Sequence, residues 1–272
     1  ILAESGVRLD DDPPSLEAMK KAGATVEGRI VKVSGGLLRE IIRATAPASF
    51  THHARTPAHS RPIGPEHPQV FAPLYGAPNV VLPGGRRSLG TREDYQGLLL
   101  QAQTSPVIGN TGHMLCVMDD VPDLHRPLRM AEMHLTLADK PFMGATGYPE
   151  ATADVIKLTH SAFDHGTEDD CRLLHLVNSI PPLSYSEKML KVLRAAAQAG
   201  QGCIVTSFMM MGASAPATFA GALAQGYAEV MIGLALSQLY RPGTPALLGL
   251  CTIPFSMQSM LPVFGDPVTW SG

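Results

Sequence analysis

Charge is scarce in this sequence. Asp, Glu, Lys and Arg make up 17% of its 272 residues and nearly cancel, for a formal net charge of −3. No basic footprint is left for a nucleic acid. With 45% of residues hydrophobic, the composition also excludes a disordered chain and supplies a large core. Cysteine is nearly absent: Cys116, Cys171, Cys203 and Cys251 are scattered, and none is spaced as CxxC. That argues against both a zinc site and a disulfide framework. The thiols read as small buried hydrophobes in a reducing cytoplasm. His52, His53, His59 and His67 fit no tetrahedral ligand spacing and read as surface residues, so no metal is expected. The longest apolar runs are interrupted by Gly, Gln or Glu short of the ~20 residues of a bilayer span. Glu4, Arg8 and Asp10 to Asp12 interrupt the start, where a signal peptide would be apolar. A cytoplasmic protein with no membrane or nucleic-acid partner is the expectation.

The chain opens on Ile1 rather than Met, and Gly265-Asp266-Pro267 begins a turn five residues before its end. A fragment is expected, with Ile1 to Gly6 read as a helix end. Residues 1–90 read as an α+β arm. It holds helices at Ser15 to Lys21 and Leu37 to Ala44, a strand at Arg29 to Ser34, and a Pro- and His-rich stretch from Phe50 to Pro83. From Thr91 a βα rhythm of roughly 30 to 40 residues sets in. Strands are predicted at Pro106 to Asn110, Pro141 to Ala145, Leu173 to Val177, Gly202 to Thr206 and Pro245 to Leu250. Helices are predicted at Arg126 to Ala138, Pro149 to Phe163, Ser186 to Ala199 and Pro216 to Tyr240. The strands are continuous apolar runs, as in parallel sheets covered on both faces. No GxGxxG follows the first strand, which weakens a dinucleotide-binding sheet. Polar residues follow nearly every strand, as at the active face of a (β/α)8 TIM barrel. The fold expected is therefore α/β: residues 91–272 as the first five or so βα units of an incomplete (β/α)8 TIM barrel, with residues 1–90 as its N-terminal arm.

The segment Ser207 to Gly243 carries a strand end, a glycine turn and a long helix in which Glu229 is the only acid. A carboxylate in a helix that is apolar on every side must find a partner or serve a site. Met211-Gly212-Ala213, Ala215-Pro216-Ala217-Thr218, Ala220 to Gln225, Ala228-Glu229 and Gln238 to Pro245 together resemble the trimethylamine:corrinoid methyltransferase family, which includes glycine betaine methyltransferases lacking pyrrolysine. Arg87 to Asp94, Ala138-Asp139-Lys140-Pro141, Asn178 to Leu183 and Leu2 to Val33 add to the likeness. The resemblance implies a (β/α)8 barrel. It also implies transfer of a methyl group from a methylated amine to the Co(I) of a corrinoid (cobalamin) carried by a partner protein. The position that reads pyrrolysine in trimethylamine members would fall beyond Gly272. A homo-oligomer is also expected.

Candidate site residues follow from position in the barrel. Glu229 and His113 are the candidate catalytic groups. Glu229 either organises a cationic substrate or makes a packing hydrogen bond; the middle of a barrel helix lies far from the active face, which favours packing. His113 either donates a proton or is a satisfied loop histidine. Asn110, Tyr148, Asn178, Ser207, Phe208 and Phe255 are candidate substrate contacts, with Tyr148, Phe208 and Phe255 as a possible cage for a quaternary ammonium. Asn178 and Ser179 suit a tight turn equally well. Met209, Met210, Met211 and Gly212 are candidates for facing the corrinoid, with core packing as the alternative. Asp119 and Asp120 read better as caps than as an ammonium site. Two further functions stay open: a non-catalytic binder of quaternary amines, and a lyase using Lys140 as a Schiff-base amine, although Lys140 precedes its strand.

Overall fold

A computed structural model describes residues 1–167 and 169–270, apart from the Trp270 side chain. The last positions of the expected 91–272 segment, Ser271 and Gly272, lie outside the described residues. The chain folds into two compact units. One comprises residues 1–47, 176–198 and 203–272; the other comprises residues 48–175 and 199–202.

In the first unit, Val7–Leu9 lies between two neighbours, parallel to Ser184–Tyr185 and antiparallel to Ile30–Lys32, which also pairs with Thr25–Glu27. Gly6 permits the close approach: at φ +73° its ideal Cβ would stand 2.6 Å from the Ile30 Cγ2. The helix Pro13–Lys21 starts on the Asp12 side chain and has Pro at its first position, and Gly35–Thr45 starts on Ser34. Residues 1–6 form a turn, with the Ser5 N–H on the Ile1 carbonyl, rather than the expected helix end. The strands Gly202–Met211 and Ala246–Ser256 run parallel in register from Cys203 opposite Ala246 to Met211 opposite Pro254. Between them in sequence lies the helix Phe219–Tyr240, capped by Thr218, three residues later than Pro216 suggested. Val177, Tyr185, Leu190, Leu193, Cys203, Val205, Val230 and Ile232 are buried in one core with Leu9, Met19, Val31 and Leu38. Burying a side chain of this size is worth ~1.5–3 kcal/mol, so this core is the unit's main support.

The helix Phe219–Tyr240 has 22 residues, and an 18-residue stretch of it with a mean hydropathy of 1.4 is long and apolar enough by composition to cross a membrane, yet 61% of that stretch is buried inside the protein. Gln225, Glu229, Ser237 and Gln238 are among its buried residues. From Glu229 to Gln238 every residue of the helix is buried in its own unit, so that stretch needs no solvent-facing polar side.

In the second unit, short hairpins join Phe50–His52 to Arg61–Ile63 and Asn79–Val81 to Arg87–Leu89. The helix Arg92–Thr104 opens with a capping box. The Thr91 hydroxyl accepts from the Asp94 N–H at 3.2 Å, and the Asp94 carboxylate accepts from the Thr91 N–H at 2.9 Å. Asp120 accepts from the Arg92 N–H at 2.8 Å, a capping role as expected of that acid. The helices Arg126–Leu137 and Pro149–Ala162 follow, packed on a core of Ala131, Leu135, Phe142, Val155 and Leu173. Phe142–Met143 pairs in parallel with the start of Leu173–Asn178, a strand that begins in this unit and ends in the other. Pro106 to Asn110 is not a strand. Pro106 has no N–H, Ser105 Oγ accepts from the N–H groups of Val107 and Ile108, and only Ile108 bridges, to Phe71. The parallel contact forms just beyond, where the Thr111 N–H reaches the Pro141 carbonyl and the Met143 N–H reaches the Gly112 carbonyl, both at 2.9 Å.

Candidate functional site

The first unit holds a carboxylate with every lone pair in use. Glu229 is fully buried. Its Oε1 accepts from the Leu183 N–H at 2.8 Å and from Gln225 Nε2 at 3.0 Å. Its Oε2 accepts from Ser179 Oγ at 2.5 Å and Ser207 Oγ at 2.7 Å. Four donors on two oxygens fill the capacity of a carboxylate, and this is what permits its burial. Gln225 sits one turn before Glu229 on the same helical face and also donates to the Ser214 carbonyl at 3.0 Å. Gln238, expected roughly on that side, instead closes the helix's far end by donating to Thr244 O and accepting from the Gly243 N–H. The Tyr185 hydroxyl donates to the Glu229 carbonyl at 3.0 Å, and burial, then the Glu229 charge, push its pKa up.

Alternation along Gly202–Met211 sorts the remaining candidates. Cys203, Val205, Ser207, Met209 and Met211 are buried, whereas Ile204, Thr206 and Met210 are half-buried and Phe208 is 40% exposed. Met209 packs against the helix at Gly226, where a Cβ would fall 2.2 Å from its methyl carbon. Phe208 lies on the opposite side, its ring 6.3 Å from Phe264. The Asn178 side-chain oxygen accepts from the Thr206 hydroxyl. Phe255 and Gly212 are half-buried. Phe208, Met257, Met260, Leu261 and Phe264 are all exposed, so apolar surface gathers in residues that follow or end these strands.

The second unit holds a different group, of buried neutral imidazoles. His134 stacks on Phe142 (4.9 Å, 7°) and on His113 (6.3 Å, 8°). The Tyr95 hydroxyl donates to the His113 carbonyl, so His134 Nε2–H donates to Tyr95 at 2.9 Å and its Nδ1 accepts from the Thr111 hydroxyl at 2.9 Å. Among the described residues neither ring nitrogen of His113, nor Nε2 of His175, makes a well-formed hydrogen bond, and the Pro127 backbone only partly offsets the burial of His113. His175 Nδ1 lies 2.9 Å from the Ala145 carbonyl, and its ring covers Gly144, where a Cβ would meet Cε1 at 2.2 Å. Burial pushes His113 and His134 down to about 3, each further lowered by a neighbouring histidine, and pushes His175 down to about 4. Asn110 Oδ1 accepts from the Gly112 N–H at 2.7 Å, and its amide nitrogen is 3.3 Å from His52 Nδ1. His52 is itself buried, contrary to its reading as a surface residue, because pairing of Phe50–His52 turns it inward onto the Arg172 carbonyl. Tyr148 is half-buried at the start of Pro149–Ala162.

Lys140 does not suit Schiff-base chemistry. Its ammonium donates to the carbonyls of Ala102 (3.1 Å), Ser105 (2.7 Å) and Ile108 (2.8 Å), which engages all three protons. A nucleophilic amine needs a free lone pair. Among the described residues, no group of three or more His, Cys, Asp or Glu could hold a metal ion. Among the described residues no two cysteines form a disulfide: Cys116, Cys171 and Cys203 are buried, and burial pushes the first two thiols up to about 11 and about 12.

Residues 1–271 match the family model described as Trimethylamine methyltransferase (MTTB). The chain belongs to this family. Among curated relatives, it is 35% identical over 271 residues to the glycine betaine methyltransferase of Desulfitobacterium hafniense (strain Y51), covering 98% of this chain and 56% of that protein. It is 28% identical to the proline betaine:corrinoid methyltransferase of Eubacterium limosum, again covering 98% of this chain and 56% of the relative. The trimethylamine methyltransferase MttB of Methanosarcina thermophila matches at 30% over 118 residues, 42% of this chain and 24% of that protein. The chain thus spans a little over half the length of the two betaine methyltransferases. The solved monomethylamine methyltransferase of Methanosarcina barkeri covers 93% of this chain and 56% of its own at 12% identity and a TM-score of 0.47, too distant to carry an inference.

Sequence reasoning missed Tyr185, His134 and His175, and it named Ser179 only as a substrate or turn residue beside Asn178, not as a donor to Glu229. Ser179 and Ser207 were legible as small hydroxyls at the ends of apolar strands. His175 was legible as a lone imidazole inside the run Leu173-Leu174-His175-Leu176-Val177.

Proposed function

We propose that this chain is part of an enzyme that moves a methyl group from a quaternary amine of the betaine type to the Co(I) of a corrinoid held by a partner protein. The observation that carries the reading is the family match along residues 1–271, joined to 35% identity with a glycine betaine methyltransferase. We further propose that residues 91–272 supply the first βα units of a (β/α)8 barrel, with residues 1–90 as an arm. The parallel register of Gly202–Met211 with Ala246–Ser256 around the helix Phe219–Tyr240 supports this.

The corrinoid supplies the nucleophile, and the methyl group leaves nitrogen with its bonding pair staying on the amine. A quaternary nitrogen makes the amine a competent leaving group, so no acid is needed to protonate it. The protein's part is to bind, align and keep water out. A quaternary ammonium donates no hydrogen bond and is held by aromatic faces and apolar contact. Phe208 is the candidate for that contact in the first unit, with Asn178, bonded to Thr206 two positions before Phe208, as a hydrogen-bonding group. Phe208, Met257, Met260 and Phe264 offer apolar surface suited to a broad macrocycle. Met209 and Met211, being buried, are left to packing in this reading.

The test uses the full-length protein, its corrinoid partner reduced to Co(I), and glycine betaine, proline betaine, carnitine and trimethylamine in parallel. A methyl-Co(III) spectrum with a quaternary amine is expected. Its absence with every substrate overturns the reading, and betaine binding by calorimetry without any methyl transfer would mark a non-catalytic binder.

A further inference from the structure

We infer that Glu229 is a positioning residue, one that works as a four-way hydrogen-bond acceptor and takes no part in proton transfer or charge pairing with substrate. This rests on the methyl-transfer reading for its kinetic arm only. Each donor on Glu229 comes from a different piece of the first unit's backbone. Ser179 directly follows the strand Leu173–Asn178, and the Leu183 N–H belongs to the turn that returns the chain to Ser184–Tyr185. Ser207 lies in the strand Gly202–Met211, and Gln225 ties the carboxylate to the Ser214 carbonyl in the turn after that strand. The Ser179 N–H also reaches the Thr206 carbonyl at 2.9 Å, so the end of the one strand is joined directly to the middle of the other.

The residues next to those donors face the other way. Asn178 precedes Ser179 and Phe208 follows Ser207, and successive side chains of a strand point to opposite faces. Asn178 is half-buried and Phe208 is exposed, whereas Ser179 and Ser207 are buried. A hydroxyl pulled toward Glu229 therefore sets the direction of its neighbour on the open side. Glu229 cannot itself touch a ligand there: it is fully buried and both oxygens are occupied. An acceptor that fixes geometry can be replaced by one of the same shape, and a group that moves a proton or balances a cation cannot.

Glu229→Gln separates these cases. Its amide oxygen can keep the Leu183 and Gln225 bonds. Its NH2 then faces Ser179 and Ser207, whose hydroxyls can turn and accept. In the full-length protein with its corrinoid partner, Glu229→Gln is expected to stay within about fivefold of wild type in kcat and in betaine KM. Ser207→Ala removes one tether and leaves Glu229 in place; it is expected to raise betaine KM by about three- to tenfold with a smaller change in kcat. A loss of kcat of about a hundredfold or more in a folded Glu229→Gln protein would overturn the assignment, since that is the range expected of a general acid or base. The second measurement needs no activity. Amide hydrogen exchange at Leu183 should stay as slow in Glu229→Gln as in wild type and quicken by about tenfold or more in Glu229→Ala. Equal exchange in wild type and Glu229→Ala would also overturn it. If wild type transfers no methyl group at all, the functional reading fails, and the exchange result alone decides this one.

Discussion

Acidification should unfold the second unit at a pH where most proteins of this size stay folded. His52, His113, His134 and His175 are all buried in that unit, and burial holds them at about 4, 3, 3 and 4 against an ordinary value of 6.5. In the unfolded chain each takes up a proton as pH falls through 6.5; in the folded unit each stays neutral down to its lowered value. Stability is thus complete above about pH 7 and drains away as pH falls, at ~1.4 kcal/mol per histidine per pH unit. At pH 5 that is about 2 kcal/mol for each histidine and about 8 kcal/mol for the four. A typical domain has only ~5–15 kcal/mol in total. The carboxylates do not share this window: Asp139 and Asp170 are lowered, and their contribution is lost only below the ordinary carboxylate range. The assay is urea unfolding at several values between about pH 7.5 and 5, with proton uptake read from the slope. The expected result is a midpoint that falls steadily, with uptake near four protons per molecule at the acid end of the range. A midpoint that is flat from about pH 7 to 5, or uptake below one proton, would refute the reasoning.

Two substitutions test local packing. Gly144→Ala places a methyl group 2.2 Å from the His175 Cε1, on a ring already anchored at Ala145, so a loss of ~1–3 kcal/mol in urea unfolding is expected. Lys140→Met leaves three carbonyls without their donor and should cost ~2–3 kcal/mol, while borohydride trapping of the unaltered protein with aldehydes should give no adduct at Lys140.

The apolar rhythm from Leu173 onward determined the elements by itself. Leu173–Asn178, Gly202–Met211 and Ala246–Ser256 form where continuous apolar runs lie, although Gly202–Met211 buries only alternate side chains and most of Ala246–Ser256 is half-buried. The capping box at Thr91 depends on residues within one turn and is local in the same way, whereas Ser34, expected to end a strand, caps the helix Gly35–Thr45 and the strand stops at Lys32. The motif around Met211 to Pro245 carried the family. Pro106 to Asn110 misled, because its apolar character was offset by a proline without an N–H and a serine that captured two backbone donors. Only the tertiary structure decided what Glu229 and the histidines do. A lone acid in an apolar helix must be neutralised or saturated, and the sequence states that much. Which donors saturate it depends on Ser179, Leu183 and Ser207, between 22 and 50 positions away, arriving at one point. Whether a histidine is a surface residue or a buried neutral ring depends likewise on what packs over it: His52 and His53 are adjacent in sequence, yet His52 is sealed and His53 is not. Periodicity is written in the chain because it is local. Desolvation and hydrogen-bond saturation are properties of neighbours, and those exist only once the chain has folded.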